Sequence, residues 1–338
     1  MIRMSRRFAS SRLASSRLFC LAAALALLSI PALQASAQQN VPPAPDSEPN
    51  APAPAAAPVF PPIDPANFTA TTPTKETVDA FLHTSWGYDN DRMWQVAAIF
   101  KTPIDGISKV IVFVGDKTGK QKPTSIDFFA LPDGKHIIAA DDILPFGVNP
   151  YADNRAVAQQ KADGPYRGAA GKDFEIVEFA DFECPHCKEA QANMEKLGVD
   201  FPNARIVFQN YPLPQHKEAA GAAAYGVCVA KLGGSTAFFT FASAVFEGQE
   251  GLATADGATL TLNSSVTKAG LDPAKVAACA ALPATVATVD ASVQLAKDLN
   301  VNQTPTLIVN GRPVPANAPY ETVKQIVEFQ EKLDGITK

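Results

Sequence analysis

The sequence predicts an α/β protein with two ordered parts, a small N-terminal α+β unit and a larger C-terminal unit. Three observations support this. An apolar, β-prone run, FEIVEFADF, leads directly into CPHC and a helical pattern. An Ala-rich helical block follows, and the chain ends in two short strands and a helix. Residues 75–150, in contrast, carry one helix and several short strands separated by turn residues.

The first 37 residues have the pattern of a secretory signal peptide. Five arginines without an acid precede a short apolar run, and Ala35-Ser36-Ala37 supplies small residues for cleavage. The run is shorter than the ~20 residues that span a bilayer. We therefore expect an exported protein of the periplasm or cell envelope. Its net charge changes from −5 to −10 because five positive charges leave, which argues against nucleic acid as a partner.

Residues 38–74 are rich in proline and alanine. Proline removes backbone donors and fixes φ, so this density of prolines prevents both helix and sheet. We predict a disordered, extended linker.

The α+β unit is predicted to cover residues 75–150. Val78, Phe81 and Leu82 lie at helical spacing within residues 75–86. Short β-prone runs follow, and Pro132-Asp133-Gly134 is a strong turn signal between two of them. The predicted strands are 107–114, 124–130 and 136–139.

The second domain is predicted to cover residues 173–338, after a polar linker at 151–172 that contains helix-forming stretches. Its order is β-α-β, a helical block at about 216–300, and then β-β-α. The predicted strands are 174–182, 204–210, 306–310 and 312–314, and the predicted flanking helices are 185–197 and 320–333.

Cys184 and Cys187 form a C-x-x-C pair, for which three interpretations compete. A structural zinc site needs four ligands, but the other cysteines and the four histidines are scattered along the chain. A purely structural disulfide gains little chain entropy from so short a loop. A reactive dithiol fits best, because a strand–C-x-x-C–helix arrangement places Cys184 at a helix N-terminus, which favours a thiolate.

The neighbouring residues support this interpretation. Pro185 suits the first helical turn, and His186 can add positive charge or a hydrogen bond to the sulfur. A stabilised thiolate of Cys184 is a good leaving group, which makes the disulfide form oxidising. Cys187, one turn into the helix, is expected to stay protonated and to act as the resolving thiol. Farther along, Pro305 stands just before an apolar strand, where a cis bond is expected.

EFADFECPHC, a helical block and then TPTLIVNG together resemble the DsbA-like branch of the thioredoxin superfamily over residues 173–336. The resemblance implies a thioredoxin fold with a helical insertion, preceded by the small α+β domain. It also implies roles for seven residues. Cys184 is the exposed nucleophile and Cys187 its partner. Pro185 and His186 tune the redox potential, and the cis proline Pro305, preceded by Thr304, faces the dithiol. Glu178 is a buried acid that moves the proton of the second cysteine.

Some expectations stay open at this point. Gln303 stands where the family commonly has glycine, and Glu178 could instead be a solvent-facing strand residue. Cys228 and Cys279 lie on predicted helices of the insertion, where they form either a structural disulfide or two buried free thiols.

Residues 75–150 more weakly resemble the N-terminal dimerisation domain of the DsbC and DsbG isomerases, mainly in the pieces TPIDG and PDGKHII. The resemblance implies a homodimer, and the alternative is a monomeric docking or spacer module. The distinction matters because a monomeric oxidase donates disulfides, whereas a dimeric isomerase rearranges wrong ones.

The sequence therefore predicts an exported thiol:disulfide oxidoreductase that forms or isomerises disulfides. No metal, nucleotide or flavin cofactor is implied. The expected partners are unfolded or misfolded secreted proteins and a membrane redox protein, either a quinone-linked oxidase or a thiol reductant. Two rival functions remain, a holdase-type chaperone and a dedicated thiol reductant for one envelope target.

Overall fold

The computed structural model describes residues 60–338, apart from residues 120, 121, 141, 337 and 338. The predicted signal peptide and residues 38–59 of the predicted linker lie outside the described residues.

The N-terminal unit packs one helix against a five-stranded antiparallel sheet with strands in sequence order. Helix α1 begins after Thr74, whose hydroxyl accepts the N–H of Thr77 and so caps the helix. Val78, Phe81 and Leu82 face the sheet and form its core with apolar strand residues, as their spacing predicts. The elements are α1 (Lys75–Trp86), β1 (Arg92–Lys101), β2 (Ser108–Asp116), β3 (Thr124–Ala130), β4 (His136–Ala139) and β5 (Asp142–Pro145).

Residues 60–74 differ from the predicted extended linker. Pro65–Asn67 form a 3-10 helix, in which the Asp64 carboxylate accepts the N–H of Ala66. The backbone of Phe68 bridges to Ile99 of β1. The prediction of a structureless linker is wrong for this part, because proline is accepted in the first turn of a helix and the apolar side chains find partners on the sheet.

The C-terminal unit has a second five-stranded sheet, in the order β10-β9-β7-β8-β6. Strands β7 and β8 pair in parallel and are buried along their whole length, including the charged residues Glu175, Glu178 and Arg205. The predicted linker at 151–172 contains α2 and the edge strand β6. The bounds are α2 (Ala152–Lys161), β6 (Tyr166–Gly168), β7 (Glu175–Ala180), α3 (Pro185–Asp200), β8 (Arg205–Asn210), β9 (Thr306–Val309), β10 (Arg312–Pro315) and α8 (Tyr320–Leu333).

Four helices form the predicted insertion between β8 and β9, and they bury a core shared with the end of β7. The first is long and apolar enough to cross a membrane by length and composition. It is broken at Gly234, whose φ of 75° is outside the helical range, and it buries phenylalanines in this core. The bounds are α4 (Ala219–Glu247), α5 (Ala255–Lys268), α6 (Pro273–Ala280) and α7 (Pro283–Asp298).

Arg312 on β10 connects the C-terminal sheet to helix α1. Its buried guanidinium donates to the carbonyl oxygens of Thr84 and Ser85 at the C-terminal end of α1. It also donates to Oε1 of Gln330 at 2.9 Å and lies over the ring of Tyr151 at 4.5 Å. The last carbonyls of a helix lack intrahelical partners, so this cation both satisfies them and complements the helix dipole.

Replacing Arg312 with methionine is expected to lower the free energy of unfolding by about 3–5 kcal/mol. The variant keeps an apolar stem but leaves buried acceptors unpaired. Urea denaturation measures the loss. The matched control is Arg92→Met, which removes a partly exposed pair with Asp89 and is expected to cost at most about 1 kcal/mol. Equal midpoints for the two variants would contradict the role of Arg312.

Candidate active site

The dithiol lies where β7 ends and α3 begins. Cys184 is the N-cap of α3, and Pro185 occupies the first helical position. Its fixed φ suits that position and its missing N–H is not needed there. Cys187 follows one turn later, and its Sγ accepts the backbone N–H of Asp181 at 3.4 Å. Both cysteines are free thiols in this structure.

Cys184 is 4% exposed and packs in the apolar core shared with the insertion. Its side chain is therefore buried, not exposed as the resemblance implies. Its Sγ lies 3.5 Å from the carbonyl oxygen of Thr304. The side chain of Gln249 reaches over from the insertion and donates to the carbonyl oxygens of Phe182 and Cys184 at 2.8 and 2.9 Å. The insertion thus fixes the loop that carries Cys184.

The two thiols differ sharply in acidity. A hydrogen bond from the Cys187 side chain, with help from the backbone N–H groups of Cys187 and His186, lowers the pKa of Cys184 to about 5. Burial raises the pKa of Cys187, and its hydrogen bond to Cys184 raises it further. At neutral pH one sulfur is therefore a thiolate and the other a thiol. The C-x-x-C motif at a helix N-terminus predicts this difference in acidity.

The side chain of His186 does not contact a sulfur. Its Nδ1 lies 2.9 Å from Oε2 of Glu189, one turn along α3, and the side chain is 60% exposed. The hydrogen bond to Glu189 raises the pKa of His186. His186 was expected to add positive charge or a hydrogen bond to the sulfur, and its imidazole hydrogen-bonds to the neighbouring carboxylate instead of a sulfur. Its contribution to Cys184 comes from its backbone N–H and its charge.

Thr304 and Pro305 lie against the dithiol, and the peptide bond between them is cis. The Thr304 hydroxyl is buried and has no hydrogen-bond partner among the described residues. The Thr304 side chain lowers the pKa of both Cys184 and Cys187. The carbonyl oxygen of Gln303 accepts a hydrogen bond from the hydroxyl of Thr306 at 2.9 Å.

Glu178 is 1% exposed, which rules out a solvent-facing position. Its Oε1 accepts a hydrogen bond from Nε2 of Gln191 at 3.0 Å, and burial raises its pKa. The same amide nitrogen lies 3.2 Å from the carbonyl oxygen of Cys187. The structure therefore brings a carboxyl group of elevated pKa to the side of the resolving cysteine.

Sequence reasoning missed three polar residues of the site: Asp181, Gln191 and Gln249. The buried Asp181 carboxylate accepts from the backbone N–H of Leu213 at 2.7 Å and lies 2.8 Å from Nδ1 of His216. Asp181 therefore connects the loop that carries the dithiol to the segment after β8. Gln191 follows Cys187 by four residues, and this helical spacing could have identified it. Gln249 has no local signal, because only the folded chain brings it near Cys184.

Cys228 on α4 and Cys279 on α6 form a disulfide with a sequence separation of 51 residues. It connects two helices of the insertion and lies beside Thr285, whose Oγ1 is 3.5 Å from the Sγ of Cys228. The alternative of two free thiols does not describe this structure. Within the described residues, no group of three or more His, Cys, Asp or Glu could hold a metal ion.

A protein-family profile described as thioredoxin matches residues 160–329, half of the chain. The chain belongs to this thioredoxin family. The predicted fold class, a thioredoxin fold with a helical insertion preceded by a small α+β unit, is confirmed. The match begins at residue 160, so it does not cover the N-terminal unit, whose resemblance to an isomerase dimerisation domain stays a hypothesis.

Solved structures related to this thioredoxin domain include a periplasmic thioredoxin-like protein from Salmonella enterica serovar Typhimurium. It is 19% identical, with a TM-score of 0.43, and the match covers 52% of this chain and 95% of that one. A thioredoxin-like oxidoreductase from Silicibacter pomeroyi is 23% identical, with a TM-score of 0.44 and coverages of 53% and 98%.

Among curated proteins, a Na(+)/H(+) antiporter, NhaA 3, from Salinispora tropica is 31% identical over 147 residues. This match covers 43% of the chain and 21% of the antiporter, so the chain spans about a fifth of the length of that relative.

Proposed function

We propose that this protein is an exported thiol:disulfide oxidoreductase that forms or isomerises disulfides in secreted proteins. One observation carries the proposal. A C-x-x-C pair at the start of α3 is divided into a thiolate-favouring Cys184 and a buried, protonated Cys187, with Thr304 and Pro305 beside it. A purely structural pair would not require such a difference in acidity.

The chemistry follows from this division. In the oxidised protein, a client thiolate attacks Sγ of Cys184, and the bond between Cys184 and Cys187 breaks. Cys187 leaves as a thiolate and takes a proton, for which Glu178 is the nearby acid. A second client thiolate then attacks the client sulfur of the mixed disulfide, and Cys184 leaves as a stable thiolate. The client gains a disulfide and loses two electrons, which the dithiol passes to a membrane redox partner.

An isomerase would instead start from the reduced dithiol and would work as a homodimer. One observation favours this second mode. Phe129, Ile138 and Ile143 stand opposite one another across β3, β4 and β5, and Ile143 at the sheet edge is 65% exposed. An apolar row at an edge strand suits pairing with a second copy. The dimer is part of this proposal.

Purified mature protein tests the proposal in two assays, oxidation of a reduced ribonuclease and reactivation of a scrambled one. Light scattering on the same sample gives the mass. A dimer that reactivates scrambled enzyme is an isomerase, and a monomer that only oxidises reduced enzyme is an oxidase. Absence of both activities, with suppression of client aggregation retained after both active-site cysteines are replaced, would favour the holdase-type chaperone instead. Activity toward a single envelope thiol target alone would favour the dedicated reductant.

A further inference from the structure

Gln191 joins the buried carboxyl group of Glu178 to the backbone of the resolving cysteine. Its Nε2 lies 3.0 Å from Oε1 of Glu178 and 3.2 Å from the carbonyl oxygen of Cys187. A single amide nitrogen with two N–H donors can satisfy both acceptors at once. The position of the carboxyl group relative to Cys187 is therefore fixed by this side chain.

The residues opposite Glu178 in the sheet are apolar, so their side chains cannot hydrogen-bond to its carboxylate. In the sheet register it stands opposite Phe208 on β8 and Leu307 on β9. Arg167 on β6 lowers the pKa of Glu178 through its charge. Gln191 is the side chain that donates a hydrogen bond to it. Loss of Gln191 would leave a buried carboxylate oxygen without its donor.

A cavity of about 250 Å³ lies on the other side of Gln191. Its charged lining comes from three elements: Arg167 on β6, Lys188 and Glu195 on α3, and Glu247 on α4. A cavity of this size with charged groups in its wall has room for several waters. Gln191 forms part of its wall, whereas Glu178 is buried behind it. Water in the cavity therefore reaches Gln191, which is one hydrogen bond away from the carboxyl group of Glu178.

We infer that Gln191 is a positioning residue for the resolving step, holding Glu178 ionised and in place to exchange a proton between Cys187 and water in this cavity. The inference rests on the proposed function and deepens it. In the step, the Glu178 carboxylate takes the thiol proton of Cys187. The Cys187 thiolate then attacks Sγ of Cys184 in the mixed disulfide, and the client sulfur leaves with the electron pair and is protonated by water.

Two substitutions of Gln191 should move the pH dependence of this step in opposite directions. A hydrogen bond to a charged group is worth about 1.5–3 kcal/mol, so its loss in Gln191→Leu should shift the pH midpoint of resolution upwards by about one unit or more. Below the midpoint the resolution rate should fall about ten-fold, in step with the ionised fraction. Gln191→Lys places a cation beside the carboxylate and should shift the midpoint downwards.

Stopped-flow reaction of the reduced protein with dithiobis(nitrobenzoate), a chromogenic aromatic disulfide, separates the two thiols. Cys184 releases the first nitrothiolate, and attack by Cys187 on the mixed disulfide releases the second. We expect the first phase to keep its pH dependence in both variants. The pH midpoint of the second phase should shift upwards in Gln191→Leu and downwards in Gln191→Lys. Gln325→Leu, on the exposed side of α8, is the matched control and should change neither phase.

Two results would overturn the inference. The pH midpoint of the second phase is unchanged in both variants, or it shifts in the same direction in both. Shifts of the same sign would indicate a merely structural effect. Failure of the proposed function looks different, because the wild-type protein itself would then release no second nitrothiolate.

Discussion

Replacing Cys184 with serine is expected to lower the rate of disulfide exchange by at least about 1,000-fold, because a hydroxyl cannot replace the thiolate as nucleophile or leaving group. Replacing Cys187 with serine should have a different effect. Cys184 would still react with a client, but the buried resolving thiol would be missing, so the mixed disulfide should accumulate. Non-reducing electrophoresis of the two variants after incubation with reduced ribonuclease distinguishes these outcomes.

The second pair of cysteines provides the control. The double variant Cys228→Ser/Cys279→Ser removes the disulfide between α4 and α6, which closes a long loop. It should lose roughly 2–4 kcal/mol of stability and keep its exchange activity below its unfolding temperature. If Cys184→Ser retains activity while this double variant loses it, the assignment of the reactive pair is wrong.

The elements that the sequence predicted best are those with strong periodicity and clear ends. Helix α8 has the predicted bounds, Tyr320–Leu333, and β3 and β4 also match. Strand β1 was not predicted, since RMWQVAAIFK lacks strict alternation of apolar and polar residues. Its place is set by pairing with β2 along nearly its whole length, which is a tertiary effect.

Residues of the site also differ in whether the sequence could predict them. A local motif located Cys184 and Cys187, and Thr304-Pro305 was recognisable because a proline precedes an apolar strand. Gln249 and Arg312 could not be found, because each acts on a segment 65 or more residues away and has no distinctive neighbours. The sequence also could not predict the direction of a side chain. His186, for example, turns to Glu189 and hydrogen-bonds to its carboxylate.

The hydrogen bonds that lower the pKa of Cys184 should also make the reduced protein more stable than the oxidised protein at neutral pH. In the folded, reduced protein the pKa is about 5, whereas a free thiol titrates near 8.5, so folding releases a proton between these values. The unfolded state binds more protons in this window. Stability of the reduced form therefore rises with pH from about 5, is complete above about 8.5, and is lost as the pH falls through about 5.

Guanidinium unfolding of the oxidised and reduced proteins between pH 4 and pH 9 measures this linkage. The difference in unfolding free energy should grow by up to about 1.4 kcal/mol per pH unit within the window, the limit for one proton. Carboxylates and His186 titrate in both redox states, so they largely cancel in the difference. Cys187 adds little, because its raised pKa keeps it protonated in the folded state below the pKa of an unfolded thiol.

The change of this free-energy difference with pH also helps to decide between an oxidase and an isomerase. Whatever stabilises the reduced protein makes its disulfide easier to reduce and hence a stronger oxidant, so a steep slope would favour disulfide donation at neutral and alkaline pH. Cys184→Ser cannot form the disulfide, so it is compared with the reduced wild-type protein. It should lack the gain in stability between about pH 5 and pH 8.5, since no thiolate forms at that position. Parallel stability curves for the two redox states would mean that Cys184 is not a low-pKa thiol, and the proposed division of roles between Cys184 and Cys187 would fail with it.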